Sequence, residues 1–196
     1  MNIGFDIDDT LTNGKLYAKK FYKEYEKIAK RNIDTKGNKE SAIKKVVNKT
    51  AKQISEVVHN FKQQFLKNVP VSEDAKAVLQ KLKDEGHTIF IITKRFSNKP
   101  YERSIKLLTK NKLPYDKLII NAGNKLEACK NNKIDLFIDN SISICDNLNK
   151  NGIKAYVINT YYNKYKKTIS PRVNSLEEFS NIALSYKKEV EIQNQN

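Results

Sequence analysis

Five short apolar runs punctuate the chain, and their end-points constrain the fold more than anything else in it. They are residues 2–6, Thr88–Thr93, Lys117–Asn121, Asp135–Asp139 and Lys154–Ile158. Each is rich in Ile, Phe or Val and is bounded by Gly, Asn or Asp. Uninterrupted runs of this length are how strands buried on both faces read. Helical patterns lie between them. Ser72 is placed to cap a helix whose Ala75, Val78, Leu79 and Leu82 form one stripe, with Gly86 as its stop. Ser97 or Asn98 opens a second, with Tyr101, Ile105 and Leu108 on one side. Asn124–Asn132 and Ser141–Asn151 follow, and Gly152 closes the latter. Ser175-Leu176-Glu177-Glu178 is a capping box for a final helix, and Glu191–Asn196 reads as a frayed tail. Strands alternating with helices predict a doubly wound, parallel, five-stranded α/β sheet of Rossmann-like type.

Residues 14–70 break the alternation. They hold no strand signal and suggest two helices, one carrying Ala18, Phe21, Tyr25, Ile28 and Ala29. The other carries Ile43, Val46, Val47, Thr50, Ile54, Val57, Val58, Phe61 and Phe65, and Pro70 ends it. The expectation is an all-α insertion, 14–70, in a core made of 1–13 and 71–196. Tyr17, Tyr22 and Tyr25 read as packing residues of this hairpin, with stacking on a base as the alternative; His59 reads as a helix-surface or packed histidine, and His87 as structural.

The segment Phe5-Asp6-Ile7-Asp8-Asp9-Thr10-Leu11 carries the chemistry. A buried strand that delivers three carboxylates is costly unless something compensates them. A solvated acidic turn is the bland reading; a divalent cation is the sharper one. Leu136-Phe137-Ile138-Asp139-Asn140 is a second strand ending in a carboxylate. In a doubly wound sheet strand C-termini share one edge, so Asp6, Asp8 and Asp139 are expected to converge there. Thr93, ending another strand, and Lys125, at a helix start, suit an anion. Together they describe a Mg²⁺-assisted phosphoryl site. Lys117 competes with Lys125 but starts a strand, on the wrong edge.

The order D-x-D-x-T-L, strand ending in Thr, Lys, strand ending in Asp resembles the haloacid dehalogenase superfamily of phosphohydrolases across most of the chain. The helical insertion resembles that superfamily's type-1 cap. I-G-F-D-I-D-D-T-L-T, I-T-K-R at 92–95 and Y-Y-N followed by R-V at 161–173 resemble the 5′(3′)-deoxyribonucleotidase-like group. The resemblance implies that Asp6 is a nucleophile forming an aspartyl-phosphate and Asp8 the general acid and base. It implies Mg²⁺ on Asp6, the Asp8 carbonyl and Asp139, with Thr93 and Lys125 on the phosphate. Asp9 and Arg95 are further substrate-binding candidates, Arg95 for a second anionic group or as a surface cation. Asn140 departs from the family, many of whose members have an acid there. The implied substrate is a small phosphomonoester, with a nucleoside monophosphate leading. A phosphatase of nucleic-acid ends and a non-catalytic phosphate-binding regulator are the rivals.

Charge bears on that choice. The 196 residues carry 37 Lys plus Arg against 22 Asp plus Glu, a net +15. Lys outnumbers Arg 33 to 4, alongside many Asn and Ile, which an AT-rich coding sequence also produces. Residues 11–70, however, hold 15 basic and 5 acidic residues, about two-thirds of the excess. That predicts a basic lid gathering anionic substrate over an acidic floor. Mean hydropathy is −0.67 and no apolar run nears the length of a spanning helix, so no membrane role is expected. Cys129 and Cys145 read as reduced, buried thiols of a cytoplasmic protein.

Overall fold

The computed structural model describes residues 1–13, 69–95, 99–120 and 122–193, with side chains to 186. Apart from Val69 and Pro70, the insertion expected over 14–70 lies outside the described residues, with its tyrosines and His59. So do Ser97 and Asn98. The chain divides into two compact units, 1–12 with 71–196, and 13–70.

In the first unit, among the described residues, six strands form one parallel sheet. They are β1 (Asn2–Phe5), β2 (Thr88–Thr93), β3 (Lys117–Ile120), β4 (Leu136–Asp139), β5 (Lys154–Ile158) and β6 (Arg172–Val173). Their order is β3-β2-β1-β4-β5-β6. The expectation of five strands is thus corrected to six. β6 is two residues long, too short to show an apolar pattern. It is held by its backbone: the Asn159 N–H donates to the Val173 carbonyl at 2.8 Å, and the Val157 N–H to the Pro171 carbonyl at 2.9 Å.

Five helices cover the sheet among the described residues: α1 (Ala75–Asp84), α2 (Pro100–Lys110), α3 (Lys125–Asn131), α4 (Ile142–Lys150) and α5 (Leu176–Gln193). Alternation along β2 divides the core. Phe90 and Ile92 join Cys129, Phe137, Cys145 and Leu148 in one cluster with α3 and α4. Phe5 meets α5 through Phe179, with ring centroids 5.5 Å apart and nearly perpendicular. Burying each such ring contributes about 1.5–3 kcal/mol. Gly4 is required by close approach. A Cβ there would lie 2.8 Å from Phe137 Cε2 and closer still to Cδ2.

Local signals shift by a residue or two. Asp74, not Ser72, precedes α1, although the Ser72 carbonyl accepts the Ala75 N–H. Gly86 follows α1 with φ +78°, and Gly152 follows α4 with φ +81°, both in the left-handed region that glycine favours. α2 starts at Pro100 and buries Ser104, Leu107 and Leu108. Tyr101, expected on the inner stripe, is 58% exposed. The buried face turns toward small Ser104, which is fully buried and bonds back to the Pro100 carbonyl. At α5 half of the capping box forms: Ser175 Oγ accepts the Glu178 N–H, while the Glu178 carboxylate reaches back to the Asn174 N–H. α5 continues to Gln193, through residues 191–193 that were expected to fray.

Candidate active site

In this strand order the chain reverses direction across the sheet between β1 and β4, and strand C-termini beside such a point leave a crevice. Asp6 follows β1 and Asp139 ends β4. The two are locked together at the backbone, because the Asp6 N–H donates to the Ile138 carbonyl at 3.1 Å. Both side chains are almost fully buried.

Lys125 lies between them. It is the first residue of α3, whose start is set by Asn124 Oδ1 accepting the Glu127 N–H. Its Nζ donates to Asp6 Oδ1 and to Asp139 Oδ2, each at 2.6 Å. Asp139 Oδ1 accepts the Ser141 N–H at 2.8 Å. One cation thus faces two buried anions. Burial raises the Asp6 carboxyl; Lys125 opposes the rise, Asp139 and Asp8 add to it, and the result is about 7. Burial pushes Asp139 up too, and the two carboxylates hold the Lys125 ammonium above its ordinary range against the effect of its own burial.

After Asp6 the chain makes a single π-helical turn, Ile7–Leu11. The Ile7 carbonyl closes it by accepting both the N–H and Oγ1 of Thr12. Asp9 is left with φ +58°, a left-handed conformation that Asp tolerates better than most residues. The turn separates the three acids. Although its charge still acts on Asp6, the Asp8 carboxylate, expected to converge with those of Asp6 and Asp139, stays outside the Lys125 bridge that joins them. Arg95 takes it instead, Nε lying 3.1 and 3.0 Å from Oδ1 and Oδ2 and Nη2 2.6 Å from Oδ1. The Asp9 carboxylate accepts from the Tyr162 hydroxyl at 2.7 Å.

Arg95 therefore faces inward, and the expectation of an arginine offered to a second substrate anion does not match its position. Thr93 is buried at the end of β2, and its carbonyl accepts the Ala122 N–H, tying down the loop that leads to Lys125. Lys117 sits at the opposite end of its strand, paired with Phe90 rather than with the Thr93 level.

Tyr162 is the participant whose role sequence reasoning did not assign; Asn140 it marked only as a departure from the family. With Nδ2 turned toward the two oxygens, Asn140 donates to the Asp8 carbonyl at 3.0 Å and to Asp139 Oδ1 at 3.2 Å, which sets its Oδ1 beside the Tyr162 hydroxyl. Asn163, also buried, holds the Asn140 and Ile158 carbonyls. The only sequence signal was the Y-Y-N run just beyond β5.

Among the described residues no three His, Cys, Asp or Glu side chains are gathered to hold a metal ion. The donor set nevertheless suits a hard divalent cation. Asp6 Oδ1 and Asp139 Oδ2 share the Lys125 ammonium, and Asp139 Oδ1 and the Asp8 carbonyl share the Asn140 amide, so Asp139 links two pairs of oxygens of the kind such a cation takes. Among the described residues no helix is long and apolar enough to cross a membrane.

No family model matches the chain. A curated protein of Clostridium acetobutylicum named a nucleotidase is 29% identical over 170 residues, covering 84% of this chain and 83% of that one. A haloacid dehalogenase-like hydrolase from Streptococcus pneumoniae superposes with a TM-score of 0.63 at 14% identity, over 92% of this chain and 97% of its own. One from Xanthomonas campestris gives 0.60 at 14% identity, over 94% and 95%.

Proposed function

Because this chain has the fold of the haloacid dehalogenase-like hydrolases, we propose that it hydrolyses small phosphomonoesters through a covalent intermediate on Asp6. The observation that carries this reading is the buried Asp6–Lys125–Asp139 bridge at the C-terminal ends of β1 and β4.

An Asp6 carboxylate oxygen attacks phosphorus, and the bond from phosphorus to the ester oxygen breaks. Asp8 gives its proton to that leaving oxygen, then takes one from the water that attacks the aspartyl-phosphate. Phosphate departs and Asp6 is restored. Lys125 and Thr93 bind phosphate oxygens, and Lys125 offsets the repulsion between carboxylate and phosphate. Asp6, Asp139 and the Asp8 carbonyl would hold Mg²⁺, which supplies further positive charge against the phosphate dianion. A nucleoside monophosphate is the favoured substrate, on the strength of the nucleotidase-named relative and the basic excess in residues 11–70.

The test is Mg²⁺-dependent phosphate release across nucleoside monophosphates, sugar phosphates and end-phosphorylated oligonucleotides. Expected are turnover of nucleotides, acid-quenched label on the protein, and loss of both in Asp6→Asn. Activity that survives Asp6→Asn would sink the mechanism, and steeply salt-dependent preference for oligonucleotides would replace the substrate.

A further inference from the structure

Arg95 is buried where a substrate-binding arginine would be open. It is 2% exposed, two residues beyond the end of β2, while the Asp8 side chain it meets is 32% exposed. Its hydrogen bonds among the described residues, from Nε and Nη2, all run to that one carboxylate. Nη1 is buried and finds no partner among the described residues. A guanidinium sealed from solvent, with one nitrogen left over, is committed to Asp8.

Asp8 needs such a partner. It lies in the π-turn with non-helical backbone angles of −77° and 122°. A short, solvent-facing carboxylate there samples several rotamers unless something holds it. A planar guanidinium bonded to both oxygens fixes the position of a carboxylate and also its plane, which an ammonium cannot do.

We propose that Arg95 is a positioning residue that sets the orientation from which Asp8 delivers its proton to the leaving oxygen. The proposal rests on the phosphohydrolase reading above. In the transfer the Asp8 O–H bond breaks and an O–H bond forms on the departing alkoxide; Arg95 keeps all its protons and touches neither substrate nor phosphate. Its contribution therefore grows with the leaving group's need for a proton.

That dependence is the test. Arg95→Lys and Arg95→Met are assayed with a nucleoside monophosphate, whose alkoxide must be protonated, and with p-nitrophenyl phosphate, whose phenolate leaves unaided. Misplacing an acid by an ångström costs about 10²-fold, so kcat on the nucleotide is expected to fall by that order. On p-nitrophenyl phosphate the pre-steady-state burst of nitrophenolate, which precedes the water step that uses Asp8 as base, should slow less than about 5-fold. A raised KM at unchanged kcat makes Arg95 a substrate binder and overturns the role; so does a nitrophenolate burst slowed as much as nucleotide turnover, which marks a structural residue.

A second arm leaves Arg95 intact and does not depend on turnover. The chain has only 4 arginines, so its ¹⁵Nε–H spectrum is simple, and Arg95→Lys identifies one signal. Asp8→Asn should displace that signal. A signal that stays put in Asp8→Asn, while the wild type is active, overturns the role alone. A wild-type chain that cleaves neither ester overturns the hydrolase reading, and the role with it.

Discussion

Lys125 Nζ stands 2.6 Å from Asp6 Oδ1 and 2.6 Å from Asp139 Oδ2, one ammonium shared by two buried carboxylates. Removing one partner of such a cluster leaves charge buried without compensation, at a cost of about 3–5 kcal/mol. Lys125→Met should therefore lower stability by about that much at pH 8, and by less at pH 5, where Asp6 takes up a proton instead. Denaturant midpoints at the two pH values check this. Phosphatase activity should fall about 10²–10³-fold, the usual effect of deleting a charge-stabilising donor.

Asp6 gives stability a pH slope of its own. Its folded value, about 7, lies above the ordinary 3.8, so between these values the folded chain holds a proton that the unfolded chain releases. The contribution is full below pH 3.8 and is lost as pH rises through about 7. In chelator, wild-type Tm should decline from pH 5 to pH 8, with a flatter profile in Asp6→Asn. Parallel profiles would contradict the assignment.

Gly4 tests the packing behind the site. Gly4→Ala drives a methyl into the ring of Phe137, a fully buried side chain with no room to swing away. Overpacking of this kind costs about 1–3 kcal/mol, read as a lower denaturant midpoint at constant slope. Phe137→Leu in the same chain should recover part of it.

The thiols should be silent. Cys129 and Cys145 are both free and fully buried. Burial pushes the Cys129 thiol to about 12 and Cys145 higher still, so neither forms thiolate near neutrality. A disulfide-exchange reagent should find no reactive thiol in native protein and both after unfolding. Fast labelling of native protein would show that one is accessible.

How much of this was legible depended on length and locality. β2 spans Thr88–Thr93 as the run of Ile and Phe indicates, because five consecutive buried residues leave an unambiguous trace. β6 left none, because a two-residue edge strand is made by backbone bonds to β5. The stripe drawn through Tyr101, Ile105 and Leu108 failed on one member, because a small polar Ser104 packs inward as readily as a large ring. The placement of Asp6 and Asp139 at one edge was legible, since a parallel sheet delivers such strand ends together, and Lys125 at its helix start meets them there.

The sequence by itself determined the alternating strands and helices, the edge at which the acids gather, and the residue types there, all of which follow from local pattern and chain direction. The tertiary structure decided which acid meets which cation. Asp6, Asp8 and Asp9 are neighbours in sequence, yet they bond to Lys125, Arg95 and Tyr162, which come from the segments after β3, β2 and β5. The backbone turn through Ile7–Leu11 sends each carboxylate in its own direction, and spacing along the chain carries no record of those directions.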